Sequence, residues 1–234
     1  LENLYKAGCR SLYFGVDTGS ARVQKAIDKN LDLVEFREVL LDTLEQGIGA
    51  IASFVLGFPD ENEDELNETV LLAMWAKSKG AGLIQFHRLS PLTGTKIYHD
   101  HQKELTFNGI ESSDTSFAVV VDPPMIPKMI QYPELFSSFH RVPTPHLDAV
   151  HLTCFANFFM MLINLLGTRI EWLFRDAGLK PTEIFSDWLA FTEGASPEDL
   201  FDTRYIVESF LEMVELRYAQ KRHFQAAAMH QSQI

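Results

Sequence analysis

Cysteine is scarce: 234 residues contain two, Cys9 and Cys154. They form neither a Cys-x-x-Cys pair nor a disulfide framework, which excludes a disulfide scaffold, a structural zinc finger and a self-contained iron–sulfur site. Both sit among apolar neighbours, as inert buried thiols do, and a reducing cytoplasm is the expected compartment. Long apolar runs are also missing. The longest, Leu152 to Leu166, is about fifteen residues against the roughly 20 needed to cross a bilayer, and it carries Thr153, Asn157 and Asn164. No membrane span is expected. Positive charge is in deficit, with a formal net charge of −12, and a groove for nucleic acid needs a basic surface, so no nucleic-acid partner is expected. His146, His151 and Cys154 are spaced by five and then three, which does not gather them on one helical face as a metal site requires. The chain opens on leucine with no signal peptide, and the expectation is a segment of a longer protein.

What is present is alternation. Glu2 to Ala7 reads as a helix end closed by Gly8, and Ser11 to Val16 as a nearly continuous apolar strand. Ser20 caps a helix through Asp28, and Asp32 caps a second through Gln46. Ile48 to Leu56 is a second strand, Asn62 or Glu63 opens a long helix to Lys79, and Leu83 to Leu89 is a third strand. Such a βαβαβ order predicts a parallel sheet. From Glu104 to Pro145, Pro123, Pro124, Pro127, Pro133, Pro143 and Pro145 forbid long regular elements, while Phe107, Phe117, Phe136 and Phe139 supply anchors for packing. Helices are predicted over 147–166, 170–177, 181–192 and from Pro197, with Ser196 as the cap of the last and a fraying tail after Gln225. The expected organisation is an α/β part over 1–103, a proline-rich packed connector over 104–145 and a helical domain over 146–234.

Strand ends are where α/β proteins hold ligands. Asp17 follows the first strand and precedes Thr18-Gly19-Ser20, so its carboxylate is placed to accept from ribose hydroxyls or to cap the next helix. Lys29 stands at a helix C-terminus, favoured there by the dipole or recruited by a ligand carboxylate. Ser53, Val55 and Gly57 share one face of the second strand, offering a hydroxyl, a branched wall and a gap for a flat ring. Glu61 holds either the turn after Pro59 or a ligand. His87 and Arg88 alternate in the third strand, and the sequence leaves open which of them faces the site.

Phe14-Gly15-Val16-Asp17-Thr18-Gly19-Ser20, with Arg22-Val23 and Ile27-Asp28-Lys29-Asn30, resembles a segment of radical S-adenosylmethionine enzymes, in the branch of methylthiotransferases, elongator-type proteins, anaerobic coproporphyrinogen dehydrogenases and cobalamin-dependent enzymes. Ser53 to Glu61 is similar to the family's fifth-strand motif G-F-I-x-G-[LF]-P-G-E, and Leu89 to Tyr98, with Pro91, Gly94 and Thr95, to its sixth-strand ending. The three lie in family order over roughly the first hundred residues. The resemblance implies the C-terminal half of a partial (β/α)6 TIM-type barrel followed by a helical domain that shapes or covers the substrate entrance. It implies S-adenosylmethionine across the strand-end rim, with Asp17 and Ser20 on the ribose side, Lys29 on the methionine carboxylate, Ser53, Val55 and Gly57 along ribose and adenine, and His87 and Arg88 beside the adenine pocket. It further implies a [4Fe-4S] cluster that generates a 5′-deoxyadenosyl radical. The family's Cys-x-x-x-Cys-x-x-Cys and Gly-Gly-Glu stretches are absent, and Ser53, Asp60 and Thr93 replace usual Gly, Gly and Pro. The cluster ligands are therefore expected in a missing N-terminal half, and this segment alone is expected to be inactive. The stretch from Tyr132 to Phe139 with Pro143-Thr144-Pro145 is similar to proteins carrying a cobalamin-binding domain, which implies that cofactor upstream and a methylation or related modification. The rival readings are a non-catalytic nucleotide-binding or scaffold module of the same origin, and an open-sheet nucleotide-binding enzyme, which would need a glycine-rich loop that the sequence lacks.

Overall fold

Burial along the middle strand decides how the first half is layered. In β2 (Gly49–Leu56), Ala50, Ala52, Phe54 and Leu56 are at most 1% exposed, whereas Ile51 and Val55 on the opposite face are half-buried. β2 lies between β1 (Ser11–Asp17) and β3 (Leu83–Arg88) and pairs in parallel with both. The chain is described here from a computed structural model covering residues 1–107, 122–144, 148–196 and 198–218. Among these residues the sheet has three strands in the order β1-β2-β3 and does not close into a barrel.

The helices that join the strands cover one face. After α1 (Glu2–Lys6) and β1 come α2 (Ala21–Ala26) and α3 (Leu33–Glu45), and α4 (Glu63–Ser78) links β2 to β3. Phe36 and Leu40 of α3 and Leu66, Val70, Ala73 and Met74 of α4 share one core with the buried face of β2. Each large apolar side chain so buried contributes about 1.5–3 kcal/mol. Sequence signals set the helix starts: Asp32 accepts from the Val34 and Glu35 amides, and Asn62 with Glu65 forms a capping box. The opposite face, with Tyr13, Gly15, Ile51, Ser53, Val55, Leu83, Gln85 and His87, is open in part; Tyr13 is 58% exposed.

One expected boundary shifts here. The helix after Ser20 ends at Ala26 instead of Asp28, because Asp28 and Asn30 take left-handed φ of 57° and 53°. Asp and Asn tolerate that region better than most residues. Lys29 is therefore carried past the helix end on a looped segment and is not a dipole-capping cation in the last turn.

After β3 comes α5 (Lys96–His101), and the connector contributes β4 (Thr106–Phe107), α6 (Ile126–Gln131) and β5 (His140–Arg141), with β4 and β5 antiparallel. Phe107 stacks edge-on against His140, and Met129 and Val142 are buried. Phe117, Pro145, His146, Pro197 and the tail after Gln225 lie outside the described residues.

The second half is helical. It comprises α7 (Ala149–Leu166), α8 (Thr168–Ala177), α9 (Pro181–Phe191) and α10 (Thr203–Tyr218); Trp188 of α9 is fully buried against Phe158 of α7 and donates to the Ser209 hydroxyl of α10 at 2.8 Å. The last helix begins at Thr203, not Pro197. Ser196 and Asp199 exchange hydrogen bonds around a single 3₁₀ turn (Asp199–Phe201), and Asp202 then caps α10 through the Tyr205 amide. No helix among the described residues is long and apolar enough to cross a membrane.

These helices do not form a core of their own. α7 lies beside β3, α8 and α9 pack on α4, and all belong to the cluster that includes the sheet. Asn164 of α7 fastens this arrangement: its Oδ1 accepts from the Ile84 amide at 3.0 Å and its Nδ2 donates to the Ile84 carbonyl at 2.8 Å. The side-chain amide thus pairs with the edge of β3 as another strand would. At the end of β2, the start of α7 and the connector close on Gly57, where a Cβ would meet Leu152 and Thr144.

Candidate functional site at the strand-end rim

Because the sheet is parallel, Asp17, Gly57 and Arg88 mark the C-terminal ends of adjacent strands along one rim. The first end is irregular. Gly15 pairs with Ser53 and Asp17 with Phe54, so Val16 is bulged out of register. Asp17 then turns the chain with φ 64°, and Thr18 N–H donates to the Val16 carbonyl at 2.9 Å, closing a γ-turn around Asp17. A non-glycine residue held this way stores strain, as functional positions often do. Asp17→Gly is therefore expected to be more stable than Asp17→Ala by about 1 kcal/mol in urea unfolding, since both lose the carboxylate and only alanine keeps the Cβ that resists this φ.

Lys29 folds back onto this turn. Its Nζ lies 2.8 Å from Asp17 Oδ2, and both side chains are partly exposed. A Cβ on Gly15 would stand 3.5 Å from that Nζ and 3.9 Å from Asp17 Oδ1, so the ammonium lies over the bare backbone of Gly15. Both members are positioned by Gln24, which is 2% exposed. Its Nε2 donates to the Val16 and Thr18 carbonyls at 2.7 and 2.9 Å, on either side of Asp17, and its own carbonyl accepts from the Lys29 and Asn30 amides. Gln24 was not a sequence candidate. The available signal was a glutamine beside Val23, on the buried side of a short amphipathic helix.

The residues after Asp17 serve a different purpose. Ser20 is 2% exposed, caps α2 through the Val23 amide and donates to Glu65 Oε1 at 3.2 Å. Arg22 grips the same carboxylate through Nε and Nη2 and reaches the Asp60 carbonyl with Nη2 at 2.7 Å. These Arg22 hydrogen bonds, with the Asn62 amide, hold the Glu65 carboxyl below the usual carboxylate range against the cost of its burial. Thr18 meets Thr69, and Thr69 Oγ1 accepts from the Gly19 amide at 2.9 Å. The Thr18-Gly19-Ser20-x-Arg22 stretch thus clasps the β1 turn onto the first turns of α4, and the Ser20 hydroxyl is shared between that clasp and the α2 cap.

On β2, Ser53 is 5% exposed between Gly15 and Gln85 in register. Val55 pairs with His87 and Leu56 with Arg88. By strand alternation, His87 shares the open face with Val55 while Arg88 shares the helix-covered face of Leu56. Register supplies the choice that the sequence left open. Gly57 takes φ 92° and its amide donates to Glu61 Oε2 at 2.9 Å. A Cβ there would come within 2.5 Å of Leu152 Cδ2, so the gap beside Gly57 is filled by a leucine. Glu61 is 3% exposed, and burial raises its carboxyl to about 7 despite hydrogen bonds from the Gly57 and Phe58 amides.

Cys154 is buried in α7 and Cys9 half-buried before β1. His151 pairs with Asp148 at the start of α7. Among the described residues no three His, Cys, Asp or Glu side chains are grouped so as to hold a metal ion.

No family model matches this chain. It is similar to a protein of Pyrococcus horikoshii named as an uncharacterized methyltransferase, 29% identical over 93 residues. The match covers 40% of this chain and 20% of that protein, so the chain spans about a fifth of the length of the curated relative it matches.

Proposed function

We propose that this chain is the S-adenosylmethionine-binding part of a radical S-adenosylmethionine enzyme, built as the C-terminal half of a partial (β/α)6 barrel and serving a methyl transfer or related modification. One observation carries the reading. The three strand ends that bear the family-like motifs are adjacent along one rim, and Lys29, which lies beyond the helix that follows β1, is brought back onto Asp17 there. The printed name of the Pyrococcus horikoshii relative supports the methyl-transfer class.

The residues fit the nucleoside portion of the ligand. Asp17 presents a partly exposed carboxylate at the rim, able to accept from both hydroxyls of a ribose. Lys29 offers an ammonium to the amino-acid carboxylate. Gly15 leaves the sheet bare beneath them, and Val55 with His87 gives a partly open strip on which a flat base can lie. When bound, S-adenosylmethionine supplies a sulfonium-activated carbon; the chain's own residues orient it. A [4Fe-4S] cluster is held by cysteine thiolates, and Cys9 and Cys154, one before β1 and the other inside the α7 core, do not fit one. In this proposal the cluster ligands, and any cobalamin domain, belong to other segments of the whole protein.

Equilibrium dialysis of S-adenosylhomocysteine against the 234-residue chain tests the reading. Asp17→Ala is expected to weaken binding about tenfold, equivalent to about 1.4 kcal/mol, through loss of charge-assisted hydrogen bonds. Equal affinity in the two proteins would remove Asp17 from the ribose site.

A further inference from the structure

The Lys29 ammonium lies over Gly15, whose missing side chain leaves space filled by Lys29 Nζ at 3.5 Å from the Cβ position; on the nucleoside reading of the rim, a ligand laid across the sheet takes that place. The pair that Lys29 makes with Asp17 is built rather than incidental. A buried glutamine, Gln24, fixes the carbonyls on both sides of Asp17 with its side chain and the Lys29 loop with its backbone. The left-handed turns at Asp17, Asp28 and Asn30 then aim the two charged groups at each other.

We infer that the Asp17–Lys29 ion pair is a specificity latch, which opens for a nucleoside bearing a carboxylate and disfavours one that lacks it. This inference rests on the nucleoside reading of the rim given above. A ligand with both groups gives each partner a replacement: the ribose diol for Asp17 and the carboxylate for Lys29. A nucleoside without a carboxylate must displace the ammonium from the floor above Gly15 and offers it nothing. Opening the pair therefore opposes its binding, by the modest amount that a partly exposed ion pair can supply. The device rejects carboxylate-free nucleosides without a steric barrier, through an attraction inside the protein itself.

The test compares two probes, S-adenosylhomocysteine and 5′-methylthioadenosine, by calorimetry on the wild-type chain, Lys29→Met and Lys29→Arg. Lys29→Met is expected to bind S-adenosylhomocysteine about tenfold more weakly and 5′-methylthioadenosine about two- to fivefold more tightly, because Asp17 is released. Lys29→Arg, which keeps the pair, is expected to retain the wild-type order of the two ligands. Weaker S-adenosylhomocysteine binding in Lys29→Met with unchanged or weaker 5′-methylthioadenosine binding would overturn the latch while leaving the site intact. Failure of both ligands to bind any of the three proteins would overturn the nucleoside reading, and the latch with it.

Discussion

Replacing Gly19 with alanine is expected to cost about 3 kcal/mol and to lower Tm by about 6–12 °C for a chain of this size. The cause is contact with backbone, which cannot swing aside as a side chain can. A Cβ at Gly19 would lie 2.6 Å from the Glu68 carbonyl oxygen and 2.7 Å from Thr69 Cα. Relief requires the β1 turn to lift from α4, which would loosen the Gly19–Thr69 hydrogen bond and the Arg22–Glu65 clasp together. Against a total stability of roughly 5–15 kcal/mol this is a large fraction. Thermal unfolding followed by circular dichroism measures it, and a loss below about 0.5 kcal/mol would mean that the turn and helix are not held at this spacing. Arg22→Lys, which keeps the charge but not the fork that grips Glu65, should fall between the wild type and the alanine variant.

A comparable effect is expected from pH at Glu61. Burial raises its carboxyl to about 7 in the folded chain from an ordinary value of 4.5. At about 1.4 kcal/mol for each tenfold change in proton affinity, that is about 3 kcal/mol of linkage. Between these two values the folded chain holds a proton that the unfolded chain has released. The stability from this group is fully present below pH about 4.5 and is lost as pH rises through about 7. Glu61→Gln removes the titration while keeping a side-chain oxygen for the Gly57 amide. The difference in urea stability between wild type and Glu61→Gln should therefore shift by about 2.5 kcal/mol in favour of Gln between pH 5 and pH 8. Glu65 and Asp148, whose carboxyls are held low, titrate below this window and do not confuse it. A difference that stays flat across the range would show that Glu61 is ionised throughout.

How much the sequence disclosed depends on how local each cause is. The strands were legible because continuous apolar runs between glycines leave little choice, and the caps at Ser20, Asp32 and Asn62 act within their own first turns. Ser196-Pro197-Glu198-Asp199 carried every local start signal, yet the described Ser196–Asp199 bonds serve one 3₁₀ turn and the long helix waits for Asp202. The strand-end rim follows from parallel pairing, and Asp17, Ser20, Lys29, Ser53, Val55, Gly57, His87 and Arg88 are the candidates that the sequence offers for it. It does not offer their relations. The Asp17–Lys29 contact depends on three left-handed residues and a buried glutamine, and the Arg22–Glu65 clasp joins residues 43 apart. Likewise, alternation placed His87 and Arg88 on opposite faces, but only the pairing of β3 with β2 says which face each one takes.

The amide of Asn164 gives the sheet a direction of growth. By occupying both hydrogen-bonding groups of Ile84, it blocks the β3 edge at that residue, much as a chain stopper ends a polymer. The outer edge of β1 has no partner strand among the described residues. A strand that extends this sheet, from the same polypeptide or another, meets the Asn164 amide at β3 and no such block at β1 among the described residues. Along β1, Tyr13 and Gly15 would be its first neighbours, and the Asp17–Lys29 pair would stand at the end of the new seam.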